Sequence, residues 1–317
     1  MDILLIAGGW SEEREVSLSG AKGIAAALAF LGHEVTLFDP RNSFDGFFAA
    51  ARGKDFAFIN LHGSPGEDGL PQTLLELLGL PYQGSGPAAS FLALNKAASK
   101  AVFRNAGLPA SEEALLPAHP GAGWAPPFPY PIFIKHNTGG SSLRLAKVRD
   151  RKELDAALDC LFAAGGEYLV EPLCPGVEVT CAVLGELEDR EGRLLEIPRA
   201  LPPILIRPLC NAEGIFDYAS KYTVDGAEEL CPAPLPEAVL ARIRDLALAA
   251  HQALGLRGYS RTDFILGPQG SLTLLETNTL PGLTPTSLLP KAAAAVGLSF
   301  DQLIGRLLDL GLATRRT

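Results

Sequence analysis

Four polar residues interrupt two apolar runs near the C-terminal end: Arg261 and Asp263 in "GYSRTDFIL", Glu276 and Asn278 in "SLTLLETNT". Alternation along a strand puts Arg261 with Asp263 on one face, and Glu276 with Asn278 on one face. The linking "GPQG" is a hairpin signal. A two-residue turn at Pro268-Gln269 would set Arg261 opposite Glu276, with Asp263 diagonal to it. A three-residue loop ending at a left-handed Gly270 would pair residue 267 with 271 and send Glu276 and Asn278 to the other face. In the first register two carboxylates and an amide oxygen converge, a donor set suited to a hard cation such as Mg²⁺. The alternative is a solvated sheet face carrying a cross-strand Arg–Glu pair.

Other segments supply cations and donors. Lys135 interrupts the apolar run "PIFIKH", where an ammonium needs an anionic partner or a strand end that reaches water. The following "NTGGSS" (137–142) offers consecutive N–H groups and hydroxyls, either a phosphate cradle or an ordinary turn. It fits neither G-x-G-x-x-G nor G-x-x-x-x-G-K-[ST]. Lys96 and Lys100 lie one turn apart at the start of a helix, where the dipole disfavours cations; a bound phosphate or a solvated face would explain them. "LHGSPGEDG" (61–69) sets His62, Glu67 and Asp68 on a glycine-rich backbone directly after an apolar strand, a plain connection or a close approach to a ligand. In "GWSEEREVSLSG", Glu12, Glu13 and Glu15 precede a helix, where acids are ordinary N-terminal chemistry.

The elements that must hold these residues alternate at first. "DILLIAGG", "EVTLFD", "DFAFINLHG" and a short "PYQGS" read as strands, with helices over 17–31 and "GLPQTLLELLGL" between them. This predicts an N-terminal parallel-sheet α/β domain over residues 1–95, with the Gly8-Gly9 turn and the His62 loop at the carboxyl ends of strands. A helix over 95–106 and a proline-rich connection lead to a central α+β domain, 96–180, with a helix at 150–164. The C-terminal domain, 181–317, contains a loop-like segment at 202–235, an amphipathic helix at 236–254, the acidic hairpin, and a last helix opened by the capping box Ser299/Gln302.

Composition narrows the classes. With 47% hydrophobic and 20% charged residues in 317, the chain can fill more than one core. A net charge of −9 argues against nucleic-acid or anionic-membrane partners. Five cysteines without a C-x-x-C pair read as reduced thiols rather than a zinc site. With no apolar stretch of spanning length and no leader pattern, a cytoplasmic protein is expected.

In this order, "GGWSEEREVS", "LHGSPGEDGLPQTLLELLGLPYQGS", "NKAASK", "FIKHNTGGSSL", "FDYASKY", "GYSRTDFIL" and "LLETNTLPGLTPTSLLP" resemble the D-alanine–D-alanine ligases of the ATP-grasp superfamily, over nearly the whole chain. The resemblance implies that the N-terminal domain is followed by a two-part ATP-grasp fold. It implies ATP and two Mg²⁺ (Mn²⁺ as a substitute) as cofactors, D-alanine as substrate in peptidoglycan precursor synthesis, and a homodimer. Carried over residue by residue, Glu13 would bind the first D-alanine's amino group through a set with Ser141 and Tyr222, and His62 would lie near its carboxylate. Lys96, Lys135, Gly140, Ser142 and Lys221 would hold phosphates, with 202–235 as a lid. Glu171, Pro172, Leu173 and Cys174 would meet the adenine, and Glu178 the ribose. Asp263, Glu276 and Asn278 would bind the metals, Arg261 and the Gly282 N–H would face the oxyanion, and Ser287 with Leu288 would receive the second D-alanine. Four positions depart from the family pattern: Asn95 for aspartate, His136 for proline, Leu143-Arg144 for Val-Gly, and Thr73 for glycine. Two further readings are a ligase joining D-alanine to D-lactate or D-serine, and a catalytically silent nucleotide sensor.

Overall fold

The computed structural model describes residues 1–140, 144–209 and 226–314. The N-terminal part runs β1 (Asp2–Ala7), α1 (Arg14–Phe30), β2 (Glu34–Phe38), α2 (Phe47–Ala51), β3 (Phe56–Asn60) and α3 (Leu70–Leu78). Its parallel sheet has the order β2-β1-β3. Ile3 to Ala7 are fully buried, as an apolar run covered on both faces must be. The strand expected at "PYQGS" reduces to one parallel bridge, Ala57 to Tyr82. The ladder stops because a side chain replaces it. Gln83 Oε1 accepts the Ile59 N–H at 3.0 Å, and Gln83 Nε2 donates to the Ile59 carbonyl at 2.6 Å.

Two helices follow, α4 (Pro87–Leu94) and α5 (Lys96–Asn105). Asn95 separates them and caps α5, its Oδ1 accepting the Ala98 N–H at 3.0 Å. The central sheet has the order β4-β7-β5-β6, from β4 (Ala114–Leu116), β5 (Ile132–His136), β6 (Leu145–Val148) and β7 (Tyr168–Pro172). Helix α6 (Arg151–Ala163), capped by Asp150, packs Leu154, Leu158 and Leu161 into its core.

The third sheet has the order β11-β10-β8-β12-β13, with β9 on the far half of β8. Its strands are β8 (Val177–Arg190), β9 (Arg193–Ala200), β10 (Ile204–Pro208), β11 (Ala227–Leu230), β12 (Tyr259–Leu266) and β13 (Leu272–Asn278). β10 and β11 pair antiparallel, so the described flanks of the 202–235 segment are strands rather than loop. Prolines around "ILIR" and the charged "AEEL" hide two short strands from pattern reading, of which β11 is the edge strand. Helix α7 (Glu237–Ala253) covers this sheet, and α8 (Leu288–Ala294) and α9 (Phe300–Ala313) pack with α1 on the N-terminal core. The Ser299/Gln302 capping box is present at α9.

Candidate active site

The β12–β13 hairpin departs from the expected two-residue turn. Gly267 N donates to Ser271 O at 2.7 Å, so the loop is the three residues Pro268–Gly270, with Gln269 and Gly270 both left-handed. The pairs nearest the loop, Leu266 with Leu272 and Phe264 with Leu274, have the register that would misplace the acids. A β-bulge then adds one residue to β13, and beyond it Asp263 faces Glu276 and Arg261 faces Asn278. Asp263 is therefore directly opposite Glu276, not diagonal, and Arg261 is not its partner. The four polar side chains still share a face. Bulges re-aim side chains in this way at strand segments beside active sites.

Each carboxylate is met by a cation. Arg261 holds Asp263 in a fork, Nε to Oδ1 at 2.9 Å and Nη2 to Oδ2 at 2.7 Å. Thr180 Oγ1 donates to Asp263 Oδ1 at 2.6 Å, and Asn278 Nδ2 lies 3.4 Å from Oδ2. Burial alone would lower the Arg261 pKa, but Asp263 and Glu276 raise it further. Lys96 Nζ lies 3.1 Å from Glu276 Oε2 and donates to the Gly139 carbonyl at 2.5 Å. That second bond ties the lysine helix to the glycine loop. Among the described residues no three His, Cys, Asp or Glu side chains form a metal cage. The oxygen donors here are two carboxylates and one amide, which fits a hard cation once the two cations give way.

Behind this face lies a more deeply buried group. Glu171 sits between Lys135, 2.8 Å from its Oε2, and Lys100, 3.1 Å from its Oε1. Burial would push the Glu171 carboxyl up, yet the two ammoniums hold it below the usual range. For Lys135 burial acts downward, and Glu171 and Glu276 outweigh it and raise its pKa. For Lys100 burial prevails, and its pKa is lowered. Neither lysine of α5 lies on a solvated face, since Lys96 is 7% and Lys100 0% exposed.

An open cleft of about 590 Å³ gathers Glu13, His62, Lys96, Gly140, Arg261, Glu276, Asn278, Gly282, Ser287 and Leu288. Glu13 stands at the N-cap of α1, where its side chain makes no capping hydrogen bond. Gly140 packs against it: a Cβ there would lie 2.7 Å from Glu13 Oε2. His62 is 7% exposed, with Nδ1 3.9 Å from Glu67 Oε1. Burial would lower its pKa, but Glu67, Glu13 and the Leu280 carbonyl raise it. Ser287 opens α8, and its Oγ accepts the Thr284 N–H at 3.1 Å.

The remaining expected residues are placed separately. Pro172 ends β7, Leu173 donates its N–H to the Pro131 carbonyl at 3.1 Å, and Cys174 is half-buried. Glu178 lies on β8 opposite Ile265 and adds to the field on Arg261. Ser141, Ser142, Lys221 and Tyr222 lie outside the described residues, as does Tyr218. The Arg144 guanidinium lies 3.8 Å from Glu12. His136 accepts the Thr138 N–H at 3.3 Å on Nδ1, a local brace for that loop. Two contributors were passed over as site residues. Glu67 lines the cleft five residues after His62, a spacing visible in the glycine loop. Lys100 pairs with Glu171, and helix periodicity alone gives no sign that it is buried.

Comparison with known proteins shows the family. A family model described as "D-ala D-ala ligase C-terminus" matches residues 123–309. A D-alanine–D-alanine ligase from Oleidesulfovibrio alaskensis is 66% identical over 313 residues, covering 99% of this chain and 97% of that one. The solved D-alanine–D-alanine ligase from Bacillus anthracis complexed with ATP superposes with a TM-score of 0.82 at 29% identity, covering 99% of this chain and 98% of that one. The VanG D-Ala:D-Ser ligase from Enterococcus faecalis superposes at 0.80 with 28% identity, covering 98% of each chain. With a family model over more than half of its residues and a 66% identical relative covering 99% of it, the chain belongs to the D-alanine–D-alanine ligase family.

Proposed function

We propose that the chain joins two D-alanine molecules into D-alanyl-D-alanine, using ATP and passing through an acyl phosphate. The observation that carries this is the meeting of an acidic hairpin, Lys96 and the Glu13/His62 loops around one cleft. A carboxylate is a poor electrophile. Its oxygen attacks the γ-phosphorus of ATP, ADP leaves, and the mixed anhydride forms. The neutral amine of the second amino acid then attacks the acyl carbon, phosphate departs, and the amine proton is lost.

Phosphoryl transfer asks mainly for positioning and charge neutralisation. Lys96 and Lys135 supply cations beside the glycine loop, with Gly140, Ser142 and Lys221 completing the phosphate contacts. Asp263, Glu276 and Asn278 would hold two Mg²⁺, with Mn²⁺ as a substitute, and bound metal supplies charge neutralisation on the transferring phosphoryl group. The stretch Glu171–Cys174 borders the adenine and Glu178 the ribose. Glu13, with Ser141 and Tyr222, receives the first ammonium, and the imidazolium of His62 attracts that substrate's carboxylate. Arg261 and the Gly282 N–H face the developing oxyanion, a contact whose loss costs about 10²–10³ in rate. Ser287 and Leu288 receive the second D-alanine. The reading extends to a cytoplasmic homodimer in peptidoglycan precursor synthesis, and sedimentation at micromolar protein tests the dimer.

A second reading comes from the likeness to a D-Ala:D-Ser ligase: D-serine as second substrate. Phosphate release from ATP, measured with D-alanine alone and with added D-serine or D-lactate, separates these readings. Release that no amino acid stimulates would leave only nucleotide binding and overturn the ligase reading.

A further inference from the structure

The buried and half-buried charges between α5 and the two sheets form a row: Lys100, Glu171, Lys135, Glu276, Lys96. Glu171 touches the first two lysines at 3.1 and 2.8 Å, Lys96 touches Glu276 at 3.1 Å, and Lys135 feels the field of Glu276. Along this row three cations face two anions, an excess suited to an anionic ligand, since buried charge demands compensation. The members differ in access. Lys135 is 16% exposed at its side chain, whereas Lys100 is 0% exposed. Lys100 is anchored from behind. Its ammonium donates to Ser111 Oγ, and the Ser111 N–H reaches the Leu274 carbonyl of the acidic hairpin at 3.4 Å.

This arrangement raises a difficulty for phosphate binding. Lys135 is committed to Glu171, and removing one partner of a buried pair strands the other at high cost. Glu171, however, has a second cation that never leaves. Its Oε1 lies 3.1 Å from the Lys100 ammonium but off the hydrogen-bonding direction, so it still has capacity to accept a proper bond there. When Lys135 turns toward a phosphate oxygen, a small shift of either side chain lets that bond form.

We propose that Lys100 is the resident counter-ion of Glu171, a positioning residue that lets Lys135 pass from the carboxylate to a polyphosphate oxygen without stranding a buried charge. This rests on the proposed ATP reading of the cleft. Without Lys100, Glu171 would pin Lys135, and the phosphate side of nucleotide binding would weaken while the nucleoside side would not.

The test is calorimetric titration with Mg·ATP and, separately, adenosine, on the wild type, Lys100→Met, Lys100→Arg, Glu171→Gln and the double variant Lys100→Met/Glu171→Gln. Lys100→Met is expected to weaken Mg·ATP about tenfold or more, the usual scale for a lost charge partner, with adenosine affinity unchanged. Lys100→Arg should stay near wild type. The double variant should recover most of the loss relative to Glu171→Gln, because a neutral amide needs no counter-ion. Unchanged Mg·ATP affinity in Lys100→Met, an equal loss for adenosine, or a loss that Glu171→Gln does not reverse would each overturn the proposal. If Lys100→Met does not fold, Lys100→Gln and the double variant decide by the same criteria. Failure of the ATP reading itself looks different: the wild type would not bind Mg·ATP, or Lys135→Ala would bind it unchanged.

Discussion

The acidic hairpin and the N-terminal loops present chemistry to the same cleft by opposite means. On the hairpin, Arg261, Asp263, Glu276 and Asn278 project from regular strands, and their aim is set by register plus one bulge. On the N-terminal side, Glu13 and His62 stand on loops just past strand ends, and close backbone approach sets their position. A strand fixes side chains rigidly but tolerates no error in parity. A loop tolerates insertions but depends on small residues where chains touch. Changes of charge should therefore dominate at the hairpin, and changes of volume at the loops.

The largest effect expected is at the hairpin. Glu276→Gln keeps the volume and the pairing with Asp263 while removing the charge that faces Lys96 and that would hold a metal in the proposed mechanism. Turnover should fall by about 10²–10³ or more, with the thermal midpoint nearly unchanged. Direct metal titration, by the spectroscopic signal of Mn²⁺ in the presence of ATP, should show weakened binding. A variant that keeps full turnover would mean that the hairpin acids are structural, and the contrast between the two regions would collapse.

The loop side should respond to one methyl group. Gly140→Ala places a Cβ 2.7 Å from Glu13 Oε2, closer than any relaxed contact. Glu13 must swing away, so the KM for the first D-alanine should rise roughly tenfold, a loss on the scale of one charge-assisted hydrogen bond. The ATP dissociation constant should move less. An equal rise in both constants would mean that the whole glycine loop has shifted rather than Glu13 alone.

These two regions were unequally legible in the sequence. Parity alone placed Asp263 and Asn278 on productive faces of their own strands. The bulge was invisible, because "LTLLETN" carries no glycine or proline to mark an extra residue. Local turn chemistry at Gly270 allows the loop that forms without deciding for it, and that loop's register separates the acids until the bulge brings them together. The short strands β10 and β11 were missed for a related reason: proline and glutamate break the alternation that reveals a strand. Lys100 shows the opposite failure. Its neighbours Lys96, Ala97, Ala98 and Ser99 give a helix but not its orientation, and only the packing of α5 buries the ammonium against Glu171.

A smaller effect sharpens the comparison through pH. The raised pKa of His62 arises from Glu67, Glu13 and the Leu280 carbonyl acting against burial. Interactions of the imidazolium are fully present below about pH 6.5, the unperturbed value, and are lost as pH rises through the raised folded value. The difference in D-alanine affinity between wild type and His62→Gln should thus be largest at acid pH and shrink toward alkaline pH. A constant difference across pH 5.5–9, chosen to span roughly the range where histidine titrates, would remove the charged imidazole from substrate binding.

The smallest effect tests whether α5 belongs to the rigid or the adjustable side of the cleft. Asn95 caps it by accepting the Ala98 N–H at 3.0 Å, in a position where the family usually has aspartate. Asparagine and aspartate cap about equally well, so geometry alone gives no reason for a difference. The ionised side chain adds a favourable interaction with the helix N-terminus and a negative charge one residue before Lys96. Asn95→Asp should therefore raise stability by a few tenths to about 1 kcal/mol, whereas Asn95→Ala should lower it by about 1 kcal/mol. Attraction toward residue 95 would also compete with phosphate for Lys96, so Asn95→Asp should bind Mg·ATP no more tightly than wild type despite its greater stability. Denaturant melts paired with ATP titration would measure both. If the aspartate variant gained ATP affinity along with stability, cap and cation would act as one unit, and α5 would belong with the rigid hairpin rather than with the loops.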